Sequence, residues 1–231
     1  MEAVRQAAID AQADAYYSDA KHNVYLTPAD DSLPTNHPRN RQVASTKGCI
    51  TDRQVPADSP LRTVYDSPRF RRFLARTVGV DAIHPYADDV SSINVHFADR
   101  GRDLGWHFDN SSFAVTLLIQ APEGGGRFEY VSALRRSADG DDNHTGVGSV
   151  LDGEIAPDRL SFEPGDLVLF RGRDALHRVT PVEGSITRIL VVFAYNTEPG
   201  IGLSDQAKEL FYGITEPSLA PPRHQGLESA P

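Results

Sequence analysis

The chain has 231 residues, 39% hydrophobic and 24% charged, an ordinary balance for a soluble globular protein with a sizeable core. Its net charge of −9 and pI near 5.3 argue against nucleic acid or an anionic membrane as partner. The lone cysteine, Cys49, excludes an intrachain disulfide, no apolar run reaches membrane-spanning length, and the acidic, Ala-rich start is not a signal peptide, so a cytoplasmic protein is expected.

Residues 2–20 contain neither Gly nor Pro, and Val4, Ala7, Ala8, Ala11 and Ala15 lie at helical spacing, which predicts a helix on the outside of the domain. From Lys21 to Pro60 the segment is polar and broken by Pro28, Pro34, Pro38 and Pro56; it is expected to wander over the surface, with a short strand at 43–46. Residues 60–79 predict a second helical stretch. Ser67 serves as cap, Pro68 suits a first helical position, Phe70, Phe73 and Leu74 form an apolar face, and Gly79 ends it. Arg69, Arg71, Arg72 and Arg76 read as its solvated face.

After residue 90 short apolar runs alternate with turns. Strands are expected at 91–97, 105–109, 113–120, 127–134, twice within 160–170 around a Pro-Gly turn, at 177–182 and at 185–196. Gly124, Gly125 and Gly126 supply a tight turn. Residues 135–159, polar and rich in Gly and Asp, form a long excursion with at most one short helix near 146–152. It reads either as a decorative insertion or as a lid that orders over the site when substrate binds. A closing helix over 204–212, capped by Ser204, precedes fifteen loosely ordered residues. About eight strands with helices before them predict a mainly β fold with flanking helices, a double-stranded β-helix (jelly roll, cupin-like). The chain reads as one domain, 1–231, with a helical and irregular flank over 1–89, the jelly-roll core over 90–198 and a C-terminal helix and tail over 199–231.

His107 and Asp109 stand two apart on an extended segment, so both side chains point to one face. His177 opens a later strand, and in a jelly roll such a strand can lie beside an early one. Two imidazoles and one carboxylate leave other positions of a metal ion open, which suits Fe(II) with a chelating co-substrate and O2. A chelating 2-oxo acid would leave its distal carboxylate in an apolar barrel. Arg188, on a run whose same face carries Leu190, Val192 and Ala194, is the residue to pair with it.

Over most of its length the chain resembles the Fe(II)/2-oxoglutarate-dependent oxygenases, and within them the small amino-acid-modifying branch of free-lysine halogenases and related hydroxylases. The resemblance is carried by WHFDNSSFAVTLLIQAPEGGGRFEY, VLDG, EPGDLVLFRGRDALHRVTPV and AYNTEPG, with PADSPLRTVYDSPRFRRFLARTVG upstream. It implies a dioxygenase that uses Fe(II), 2-oxoglutarate and O2, with His107, Asp109 and His177 as catalytic metal ligands and Arg188 on the co-substrate. In the halogenases Gly replaces the triad carboxylate and vacates a site for chloride. Asp109 therefore implies hydroxylation, or oxidative cyclisation or desaturation, of an aliphatic C–H.

The resemblance also suggests co-substrate or substrate contacts from Asn94 and His96, although His96 equally reads as a hydrogen-bonded core histidine. Arg41 or Lys47 could bind a substrate carboxylate, and each also reads as a surface charge. Leu104 and Asn110, at rim positions where relatives place polar or acidic groups, favour a neutral side chain over lysine. Trp106 reads as packing, His144 as exposed and Cys49 as without catalytic role. The expected partner is a free amino acid or derivative in specialised metabolism, and a homodimer is compatible with the sequence. Two other readings are a metal-binding cupin without oxygenase activity and an oxygenase on a carrier- or protein-bound substrate; no docking patch is visible for the second.

Overall fold

Two antiparallel sheets enclose a cavity in the computed structural model, which describes residues 1–111, 113–203 and 205–215. Their strands are β1 (Tyr16–Tyr17), β2 (Gly48–Ile50), β3 (Ile93–Ala98), β4 (Leu104–His107), β5 (Ala114–Gln120), β6 (Phe128–Val131), β7 (Asp158–Leu160), β8 (Leu167–Phe170), β9 (Leu176–Val179) and β10 (Arg188–Phe193). The larger sheet runs β1-β2-β3-β10-β5-β8, and the smaller runs β7-β6-β9-β4. This is the expected double-stranded β-helix.

Alternation along the central strands divides core from site. Ile93, Val95 and Phe97 of β3, with Ile189, Val191 and Phe193 of β10, are at most 2% exposed and face the flanking helices. Asn94, His96, Arg188, Leu190 and Val192, at the intervening positions, face the cavity. Register matches the two strands face for face, with Leu190 opposite His96 and Val192 opposite Asn94.

The helices α1 (Glu2–Ala11), α2 (Pro60–Asp66) and α3 (Pro68–Val78) cover the outer face of the large sheet. Ser67 caps α3 by accepting from the Phe70 amide at 3.3 Å, an interaction worth about 1 kcal/mol, and Gly79 ends it at φ +81°. The buried face of α3 is Leu74, Ala75 and Val78; Phe73, expected with them, is 55% exposed. The stripe through Phe70, Leu74 and Val78 follows i, i+4 spacing, and Phe73 falls one helical position off it.

Two expectations for the N-terminal flank are corrected. The first helix stops at Ala11, because Tyr16 and Tyr17 pair with Cys49 and Gly48 and the Tyr17 hydroxyl donates to Asp99 at 2.9 Å. Long-range pairing there outweighs local helix propensity. The segment 21–60 does not stay on the surface: Val24, Tyr25, Lys47, Cys49 and Ile50 are buried, and β2 pairs with β3.

The excursion after β6 contains α4 (His144–Leu151), capped by Asn143, whose side chain accepts from the Gly146 amide. Val147 and Val150 of this helix pack on Trp106, Phe108 and Leu176 at the outer face of the small sheet. None of residues 135–159 lines the cavity, so the expected lid sits elsewhere. The apolar spacing inside a Gly- and Asp-rich stretch decides its place. The cavity is instead bounded by Leu203, Phe211 and Tyr212, the last two from α5 (Asp205–Tyr212). Ser204, the expected cap, and the last fifteen residues lie outside the described residues. Among the described residues no helix is long and apolar enough to cross a membrane.

Candidate active site

His107 on β4 and His177 on β9 are register partners, so their side chains leave the small sheet side by side, with ring centroids 4.1 Å apart. Each ring donates from Nδ1 to the carbonyl two residues before it: His107 to Gly105 at 2.8 Å and His177 to Ala175 at 3.0 Å. With Nδ1 carrying the proton, each neutral ring presents a lone pair at Nε2. Asp109, just beyond β4, places Oδ1 3.6 Å from His107 Nε2 and 3.5 Å from His177 Nε2. The three donor atoms fall within 4.8 Å of one another. Three electron-rich atoms thus converge with no proton between them, an arrangement a cation resolves, and two imidazoles with one carboxylate fit Fe(II).

Burial, reinforced by the neighbouring His177, pushes His107 down to about 4, so its imidazole is neutral at pH 7. Burial alone would raise the Asp109 carboxyl; a positive charge on the facing imidazoles, His177 foremost, outweighs this and holds the group well below the ordinary carboxylate range. With both rings neutral, a bound cation would supply that charge instead. Gly172, in the loop between β8 and β9, accepts from the Asp109 amide at 3.0 Å. A β-carbon at 172 would overlap the Asp109 carboxylate, so only glycine fits there. Sequence reasoning missed this residue; its signal was a glycine five positions before His177.

The cavity holds about 180 Å³ between the sheets. Arg188 is 5% exposed and has no hydrogen bond or ion pair among the described residues; its guanidinium lies 5.8 Å from the Phe162 ring centre. Burial pushes it down to about 10 and no carboxylate opposes this. Gly126, at φ +57°, makes room for it, since a β-carbon there would stand 3.0 Å from Arg188 Cδ.

Lys47 is also buried in the cavity wall, donating to His96 Nε2 at 2.7 Å and lying 5.5 Å from the Phe211 ring centre. Burial pushes Lys47 down to about 8. Burial and then the Lys47 charge push His96 far down, leaving a neutral acceptor. Leu104 and Asn110 line the cavity as expected from their positions. Among the described lining residues, Lys47 and Arg188 are the cations and Asp109 is the one carboxylate.

Other assignments change. Asn94 faces the cavity, but its amide donates to Val90 and Ile93 carbonyls and its oxygen accepts from the Tyr212 hydroxyl at 2.8 Å; it ties β3 to α5 and is not free to hold a co-substrate. Arg41 does not line the cavity, because Asp152 at the end of α4 captures its guanidinium at 2.6 Å. His144 is not exposed, since its ring packs edge-on against Tyr25 and His37. Trp106 does point away from the cavity, under the Arg178 guanidinium at 4.6 Å. Burial pushes the Cys49 thiol up to about 12, so it stays protonated. Tyr86, Phe211 and Tyr212 line the cavity and were not anticipated. Nothing local in their sequence shows which strand they would meet.

A family model described as Halogenase D matches residues 20–209. Among solved structures, an oxidoreductase of the 2OG-Fe(II) oxygenase family from Burkholderia pseudomallei is 16% identical, with 85% of this chain and 81% of that one covered and a TM-score of 0.50. AviO1 from Streptomyces viridochromogenes Tue57 is 17% identical over 88% and 85%, with a TM-score of 0.54. SnoK, a non-heme alpha ketoglutarate dependent carbocyclase from nogalamycin biosynthesis, is 12% identical over 84% and 72%, with a TM-score of 0.53. These likenesses concern the fold. No curated protein sequence matches the chain. Fold, family match and donor geometry together define a 2-oxoglutarate-dependent Fe(II) dioxygenase. The chain belongs to the halogenase D family.

Proposed function

We propose that the protein oxidises an aliphatic C–H bond of a free amino acid or amino-acid derivative, by hydroxylation or by oxidative cyclisation or desaturation, and does not halogenate. His107, Asp109 and His177 are the residues that would hold Fe(II). With 2-oxoglutarate and O2, bound Fe(II) supplies the oxidising power needed for an unactivated C–H bond. The observation that carries the reading is Arg188: a buried guanidinium without a partner among the described residues, on the wall of the cavity that also contains the triad. Such a group is costly to bury unpaired, and the distal carboxylate of 2-oxoglutarate supplies a planar partner for its fork.

Asp109 bears on the reaction type. It fills the position that halogenases leave vacant for a halide, and Gly172 is shaped around it. Lys47, held by His96, is the second cation and suits the carboxylate of the substrate. With Asp109 committed to the metal, the lining offers no acid for a cationic side chain, which favours a neutral one. Apolar walls from Phe170, Leu190 and Val192 keep water from the reacting carbon. Succinate formation from 2-oxoglutarate, measured against a panel of free amino acids, tests this reading. Stimulation by neutral amino acids or their derivatives is expected. Turnover that no member of the panel stimulates would count against it.

A further inference from the structure

His107 is oriented by a glycine. Its Nδ1 donates to the Gly105 carbonyl, and glycine backbone is free to turn unless something outside it holds it. That support comes from a two-stranded ribbon, Ala20–His22 paired with Val43–Ser45, which lies against β4. A β-carbon at 105 would stand 2.2 Å from the Ala44 carbonyl oxygen, so only glycine admits the ribbon this closely. Ser45 Oγ then accepts from the Gly105 amide at 3.1 Å. Behind it, His22 places Nε2 2.7 Å from the same Oγ and Nδ1 3.0 Å from the Asn23 carbonyl. A carbonyl can only accept, so Nδ1 carries the ring proton, Nε2 accepts, and the Ser45 hydroxyl donates to it. Burial pushes His22 down, which keeps the ring in this neutral form at pH 7. Ser45 is 1% and His22 6% exposed, and neither lines the cavity.

We propose that Ser45 and His22 are positioning residues for the metal centre: by fixing Gly105 they hold the His107 ring with Nε2 turned toward Asp109 and His177. The hydrogen bonds run in one direction from the ribbon to the ligand, and the hydroxyl can serve the Gly105 amide because His22 takes its proton. A serine beside an imidazole is also the pattern of an activated nucleophile. Here both groups are sealed from the cavity, so no substrate meets them and the pair is left with orientation as its work. This role rests on the metal ligands of the proposed function and is independent of its substrate. The next residue offers a control. Thr46 Oγ1 donates to Asp103 Oδ1 at 2.8 Å and accepts from the Asp103 amide at 2.9 Å. It ties the same ribbon to the residue before β4 without touching Gly105.

The test titrates Co(II), a stand-in for Fe(II) whose visible absorption reports its ligands, into the full-length protein by chelator competition. Neither 2-oxoglutarate nor substrate is present, so the outcome does not depend on turnover. Ser45→Ala and His22→Phe are expected to weaken Co(II) binding about tenfold or more, as loss of an outer group that orients a ligand does, and to shift the absorption bands. Ser45→Thr, which keeps the hydroxyl, and His22→Gln, which keeps an acceptor, restore part of the affinity. Thr46→Val lowers the melting temperature of the metal-free protein and leaves Co(II) affinity and spectrum native. An unchanged affinity in Ser45→Ala, or an equal loss in Thr46→Val, overturns the positioning role and leaves the ligand assignment standing. Should Ser45→Ala fail to fold, His22→Gln against His22→Phe decides, and equal affinities in that pair overturn the role. A native protein that takes up no Co(II) overturns both role and ligands.

Discussion

Gly172 and Asp109 share one space: the volume a β-carbon would need at 172 is occupied by the Asp109 carboxylate, whose residue also donates its amide to the Gly172 carbonyl. The position of the acidic ligand is thus set by a residue 63 places away, on a loop that leads directly into the strand of His177.

Gly172→Ala displaces the carboxylate without touching either imidazole. Outer residues that orient metal ligands are worth about 10- to 100-fold in metal affinity. A chelator-competition titration of Fe(II) should show a loss in that range, with a folded protein. Unchanged affinity would mean that Asp109 is not placed by Gly172.

His177→Ala removes one of the paired rings and is expected to abolish iron-dependent turnover. The neighbouring packing of Leu176 and Val179 persists, so circular dichroism should remain native. Turnover retained in this variant refutes the ligand assignment.

Arg188→Met keeps much of the buried volume and removes the fork. A hydrogen bond to a charged group is worth roughly 1.5–3 kcal/mol, so 2-oxoglutarate should bind at least about tenfold more weakly. An apparent affinity equal to that of the native enzyme would assign the co-substrate to another residue.

Lys47 titrates at about 8 in the free enzyme because of its burial. The protonated form is the one that meets a carboxylate, so kcat/KM is retained below that pH and falls as pH rises through it. Lys47→Arg, whose guanidinium stays charged, should move the alkaline limb upward. A limb that does not move belongs to a different group.

The legible parts of this fold were those written in local alternation. The short apolar run at 91–97 announced a strand, and the spacing of His107 and Asp109 announced two side chains on one side. Arg188 stood out because three apolar residues share its face. What was not legible depends on contacts between distant segments. Asn94 is consumed by Tyr212, 118 residues later, Arg41 by Asp152, and the Gly- and Asp-rich excursion is pinned by two valines against the far side of the small sheet. Gly172 was visible as a residue, but its meaning required the carboxylate beside it.

The most direct measurement is the mass of the product formed from a neutral amino acid or derivative with Fe(II), 2-oxoglutarate and isotopically labelled O2 in chloride buffer. Asp109 and the fit of Gly172 around it predict a gain of one labelled oxygen, or a loss of two hydrogens, with no chlorine incorporated. A chlorinated product from the native enzyme would contradict the account.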